Sequence, residues 1–349
     1  MSHSFGEAIR FASGDVPKGH PNFNGKMHLE GLPLDGNSEL LKAMDNRMMF
    51  MGHIALVQVM QPHTGAGVAN HSDVYDNTLA RLGGSIGMIT ASAFDGENGD
   101  KVAQLITSLH KPIHGRLPDG MLYSALNPKS WVETHLTFFQ AAEQIFLRFD
   151  PRSDDPELRD SILEQMYMEY ITWYQRFGIT DEHLPENYGE FQDFWKNMVT
   201  NDLTMTDSAK WGFSLLKDKK FPFPTAVPEL ARRAMNIPLA EPTGFVGKLI
   251  MGGMPSEIRN NPDYADDLPR FTKRDEKLVK LFDSVVKKRW QHLPASVRYP
   301  VNDLKFMQQH GMHEGASERV MVAGWDGVNM AIKAQQSLSR TIKSLIRIN

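Results

Sequence analysis

The chain has 349 residues, 41% of them hydrophobic, enough to fill one large core or two ordinary ones. Its formal net charge of −4 lacks the basic surplus that a phosphate backbone demands, which sets nucleic acid aside as a partner. It has no cysteine, so disulfides, thiolate nucleophiles, iron–sulfur clusters and thiolate-held haem or zinc are excluded, and any metal falls to His, Asp, Glu or Tyr.

Residues 1–36 are rich in Gly, Pro, His and Asn and have no periodicity, which predicts an irregular arm. The opening "MSHSFGEAIRFASGD" has no apolar h-region, and no run of about 18 apolar residues follows anywhere. The expectation is a soluble, cytoplasmic protein without an integral membrane segment. From Ser38, the residues Leu40, Leu41, Met44, Met48, Met51 and Ala55 recur at helical intervals and predict one helix running into Pro62, which ends it. The stretch from Asp73 to Phe94 is helix-like at both ends but weakened by Gly83, Gly84 and Gly87, a spacing that lets another group approach the backbone.

Val102, Leu105, Ile106, Leu109 and Ile113 mark an amphipathic helix for which Gly115 is the expected stop. Val132, His135, Phe138, Phe139, Ala142, Ile145, Phe146 and Phe149 then form one face of a long helix. The next helix begins at "SDDPELRDSIL", with Ser or Asp available as its cap and Pro156 in its first turn, and Gly178 stops it. Further helices are predicted near 187–202, 206–217, 226–235, 272–291 and 319–346, with Pro-rich connections at 221–228 and 237–242. No strand pair or internal repeat stands out. The predicted fold is all-α, with an arm at 1–36, one large helical domain at 37–306 and a C-terminal helical extension at 307–349. Arg340, Lys343 and Arg347 beside Leu338, Ile342 and Leu345 fit a membrane surface or an oligomer contact, and equally fit the favourable helix dipole of a C-terminal turn.

Among the 13 histidines, His3, His20, His28, His310 and His313 lie outside the predicted core helices. His110 and His114 stand at i, i+4, a spacing that can ligate one metal from one helix face. Lys111 occupies the place where a zinc protease needs glutamate, so that reading fails. The other readings are His110 alone as the axial ligand of a haem, with a late-turn carbonyl orienting its second nitrogen, or a satisfied structural histidine. Arg81 and Ser85 lie one turn apart. They fit either a solvated helix face or an arginine and hydroxyl turned toward a propionate, a substrate oxygen or dioxygen.

In order, "MQPHTGAGVANHS", "ARLGGS", "AFDGENGDKVAQLITSLHKPIHG", "LPDGMLYSALNP" and "THLTFF" resemble the successive signatures of one family, most clearly across residues 45–150. It is the haem-dependent oxygenase family that includes the bacterial latex-clearing protein, a rubber oxygenase, and the fungal oxygenase of mycophenolic acid biosynthesis. Weaker similarity extends the match over most of residues 38–305.

The resemblance implies an all-helical domain around one haem b. His110 matches the proximal histidine, Arg81 and Ser85 match an arginine and threonine near the haem, and His135 and Thr137 match a His-x-Thr on the later helix. Asp119, Gly120 and Tyr123 match an Asp-Gly-x-x-Tyr segment. Four departures stand out. His114 and Gly84 replace an arginine and a lysine, Glu133 falls where a tryptophan is usual, and the catalytic glutamate of the rubber oxygenase has no counterpart. Rubber is therefore not the expected substrate. The expectation is a haem b oxygenase acting with dioxygen on a small hydrophobic substrate, isoprenoids among the candidates. Its site would comprise His110 on the iron, with Arg81, Ser85, His114, His135 and Thr137 around it. The rivals are a non-haem metal enzyme using His110, His114 and His135, and a non-catalytic helical protein that binds a hydrophobic ligand.

Overall fold

The computed structural model describes residues 38–94 and 96–299. The predicted arm at 1–36, the extension at 307–349, the helix at 319–346, His3, His20, His28, His310, His313, Arg340, Lys343 and Arg347 lie outside the described residues. Ser38 caps α1 (Glu39–Ala43): its hydroxyl accepts from the Leu41 amide and donates to the buried Glu169 carboxylate at 2.7 Å. A 3-10 turn at Asn46–Phe50 and then α2 (His53–Met60) follow. The single helix expected here is thus broken. The Asp45 carboxylate accepts from the Arg47 amide and restarts the chain, a local bond that competes with continued helix.

Gln61 is extended, and Pro62 opens α3 (Pro62–His71) at a position where no amide proton is needed. Helix α4 (Thr78–Phe94) continues through its glycines and packs along α5 (Gly96–His110). Helix α5 stops at His110, not at Gly115, because Gly115 belongs to a small antiparallel hairpin of β1 (His114–Arg116) and β2 (Leu122–Ser124). Strands of three residues carry too little alternation to be seen in the sequence. Gly120, at φ +87°, makes the turn, and the Asp119 carboxylate accepts from the Met121 amide. Gly115 has its own reason: a Cβ there would lie 2.8 Å from the Tyr123 hydroxyl oxygen.

Two long helices carry most of the core. Asn127 caps α6 (Pro128–Phe149), and Asp155 caps α7 (Pro156–Gln175). Leu136, Phe139, Ile145 and Phe149 of α6 meet Met166, Tyr167, Tyr170 and Trp173 of α7 in one cluster, all eight fully buried. Burial of each such side chain contributes about 2–3 kcal/mol before the entropy of ordering it is subtracted. Then come α8 (Tyr188–Asn197), a π turn at Met198–Asp202 and α9 (Asp207–Lys217).

Helix α10 (Glu229–Gly253) runs through Pro238 and Pro242, where the sequence predicts a connection. Each proline removes one helical hydrogen bond. Gly247, Leu249 and Met251 of the second half of α10 are buried, and Met251 joins a smaller core cluster with Val57, Met60 and Phe213. Helices α11 (Ser256–Arg259), α12 (Lys273–Arg289) and α13 (Ala295–Arg298) finish the described chain, and Thr272 and Asp275 form a capping box at α12. The architecture is all-α apart from the hairpin.

Candidate active site

Helices α4 and α5 are joined so closely that they form a helical hairpin, which sets the first turns of α4 beside the last turns of α5. His110 is the final residue of α5. Its Nδ1 lies 2.7 Å from the Ile106 carbonyl oxygen, which can only accept, so Nδ1 carries the proton and Nε2 keeps its lone pair. Desolvation holds the ring below its ordinary pKa, the Ile106 bond opposes this, and the positive charge of Arg81 adds to the lowering. Both effects keep the imidazole neutral. The indole of Trp131 meets the His110 ring edge to face at 5.3 Å.

Arg81 is hydrogen-bonded to the Ser85 hydroxyl one turn on. Arg81 is an exposed residue, yet desolvation depresses its pKa, with Asp73 opposing. The same helix leaves apolar groups uncovered: Leu79, Leu82 and Ile86 are 38–44% exposed, and the space beside Gly83 and Gly87 is empty to 4 Å. By helical spacing these five share one face of α4, whereas Arg81 and Ser85 lie on the opposite face, and it is the charge of Arg81 that bears on His110. A metal that takes one imidazole, in a macrocycle with acidic edges, suits His110 and Arg81, so these residues fit haem.

His135 lies elsewhere, deep in the α6–α7 core. Its Nδ1 shares a hydrogen bond with the Tyr170 hydroxyl at 3.0 Å, and Phe138, Trp173, Tyr174 and Phe177 surround the ring. Burial pulls its pKa down to about 3, and its Nε2 has no partner. Trp131 and Phe177 stand between this ring and His110 in a chain of ring contacts at 5.3, 5.8 and 4.6 Å. The hydroxyl of Thr137, also buried, accepts from Gln58 of α2 at 2.7 Å and donates to the Thr134 carbonyl at 2.6 Å, which ties it to the α2–α6 contact.

His114 is exposed at the start of β1 and does not share a helix face with His110. Among the described residues no three His, Asp or Glu side chains are grouped to hold a metal, so His110, His114 and His135 do not converge. The structure thus assembles His110, Arg81 and Ser85, and leaves His114, His135 and Thr137 apart. Tyr123 is structural as placed: its hydroxyl joins Asn70 and His71 of α3 at 3.0 and 3.3 Å.

The late-turn carbonyl that the sequence suggests for the second nitrogen of His110 is that of Ile106, four residues earlier. One participant was not read from the sequence. Trp131 is harder to find, because the resemblance directs attention to Glu133. That carboxyl pairs with Lys129 at 3.3 Å, and burial raises its pKa, while the indole that meets His110 comes from two positions earlier on α6.

A neutral imidazole of fixed tautomer and a guanidinium whose charge bears on it are thus carried on a helical domain. Residues 42–283 match the family described as "ER-bound oxygenase mpaB/B'/Rubber oxygenase, catalytic domain", and the chain belongs to that family. No curated protein and no solved structure matches it. Among the described residues, no helix is long and apolar enough to cross a membrane.

Proposed function

We propose that this oxygenase-family domain is a haem b-dependent oxygenase in which His110 Nε2 ligates the iron and a small hydrophobic substrate, with isoprenoids among the candidates, reacts with dioxygen. The observation that carries the reading is His110 itself: Nδ1 is committed to the Ile106 carbonyl and Nε2 is free, within reach of the Arg81 charge. Bound haem supplies the one-electron and dioxygen chemistry.

The chain's own residues do the rest. The Ile106 carbonyl fixes the imidazole's orientation and strengthens it as a donor. Trp131 stops the ring from turning away. Arg81, held by Ser85, offers a partly desolvated positive charge that can bind a propionate or stabilise negative charge that develops on a substrate oxygen. With Gly84 in the lysine's place, no internal amine competes for this space.

The test is the absorption spectrum of the purified full chain, oxidised, reduced and with carbon monoxide. A Soret band that shifts in each state, is lost in His110→Ala and survives in His114→Ala is the expected result. Equal retention of haem by both variants would remove His110 from the iron. A colourless protein from cells supplied with haem precursor would replace the proposal with the ligand-binding rival.

A further inference from the structure

A second concavity lies outside the site just described. It has a volume of about 570 Å³, within the usual range for small-molecule sites, and opens between the start of α4, helix α9 and the first half of α10. Its wall is aromatic. Tyr75 and Trp211 meet edge to face at 4.8 Å, and Phe221 and Phe223 lie 4.8 Å apart on the connection after α9. The backbone holds these rings in place: Lys219 adopts φ +52° to turn the chain back, and the Phe221 amide donates to the Asn236 side chain at 2.7 Å. The Tyr75 hydroxyl is satisfied by Ser208 at 2.7 Å, so this ring presents mainly its apolar face.

The charges around the wall are unequal in status. Lys219 pairs with Glu241 at 2.9 Å, Lys220 with Asp218 at 2.6 Å, and Arg233 with Glu229. Arg232 also lines the cavity, yet among the described residues no carboxylate pairs with it, and its Nε is buried with no acceptor. A guanidinium in a cavity wall with no carboxylate of its own has its outer N–H donors left for an anion. Aromatic walls and one uncompensated cation are complementary to one kind of molecule.

We propose that this cavity is a binding site for an amphipathic anion, whose apolar tail packs on Tyr75, Trp211, Phe221 and Phe223 and whose carboxylate or phosphate head is held by Arg232. Binding here requires neither haem nor dioxygen. Thr78, in the cavity wall, opens α4 about one turn before Arg81, so an occupant also adjoins the proposed oxygenase site. Its use as substrate rests on the function proposed above; its binding does not.

Calorimetric titration of the full chain with decanoate, decyl phosphate and decanol tests the site. At least one anion is expected to bind about tenfold more tightly than the alcohol, as one charge-assisted hydrogen-bond pair implies. The preferred anion then distinguishes a carboxylate from a phosphate head. Arg232→Gln should remove most of this preference, whereas Arg233→Gln, at a cation already paired, should leave affinity within about twofold. Decanol binding as tightly as both anions, Arg232→Gln binding them unchanged, or no binding of any probe would overturn the proposal. Should Arg232→Gln fail to fold, the head-group comparison in the unaltered chain decides it, and His110→Ala should bind the anion as well as the unaltered chain does.

Discussion

Glu143 offers a quantitative test of the core that supports the site. It lies on α6, buried, and its Oε1 accepts from the Tyr188 hydroxyl at 2.5 Å. Burial pushes its pKa from 4.5 up to about 7, against the pull of the Tyr188 bond. The native state therefore holds this proton more tightly than the unfolded chain does. Its contribution to stability is complete below about pH 4.5 and is lost as pH rises through about 7. At about 1.4 kcal/mol per pH unit, the loss amounts to about 3 kcal/mol by pH 8. In Glu143→Gln the amide oxygen can still accept from Tyr188, and no charge has to be buried at any pH. Urea unfolding of the two proteins from pH 4.5 to 8 is the assay, because groups common to both cancel in the difference. The variant should gain on the unaltered protein across that range, by up to about 3 kcal/mol, with the gain levelling off above the folded pKa. A difference that stays flat with pH would refute the reasoning, as would a variant less stable than the unaltered protein at pH 8.

Other substitutions probe separate links. Trp131→Phe keeps a ring against His110 and removes an indole N–H that has no partner, so unfolding should shift by only about 1 kcal/mol while any Soret band moves; a loss above about 3 kcal/mol would show that the N–H is bonded. Thr272→Ala removes half of the capping box of α12 and should cost about 1 kcal/mol in urea unfolding. Gly115→Ala sets a methyl against the Tyr123 ring and should cost about 1–3 kcal/mol; a neutral result would mean that the tyrosine moves freely.

The long amphipathic helices were legible because periodicity, caps and stops agree. Asp155, Pro156 and Gly178 all do what their chemistry predicts. The helix break at Asp45 was hidden, because the apolar spacing from Leu40 to Met51 continues across it and only a local carboxylate interrupts the backbone. Pro238 and Pro242 misled in the opposite direction: tertiary docking of the later turns outweighs two lost hydrogen bonds.

At the site, the spacing of Arg81, Ser85 and His110 could be read, but not which of the other histidines would join them. His114 shares a helix face with His110 only if the helix continues, and a hairpin too short to leave a period in the sequence stops it. Trp131 escaped for a related reason. One apolar residue in an apolar stripe carries no mark of the ring it will touch.

The same hairpin bears on how still His110 is. A residue at the very end of a helix ordinarily frays, opening at almost no free-energy cost. Here the His110 carbonyl accepts from the Ile113 amide at 3.0 Å, the Ile113 carbonyl accepts from Ala125 at 2.9 Å, and Tyr123 fastens β2 to α3. To fray, the end of α5 would have to unzip this connection first. Amide exchange at Ser108 to Lys111 and at Ile113 should accordingly be slow for a helix terminus. The imidazole is left with little orientational entropy to lose on taking any ligand, and that order is supplied by two strands on the far side of the chain's turn.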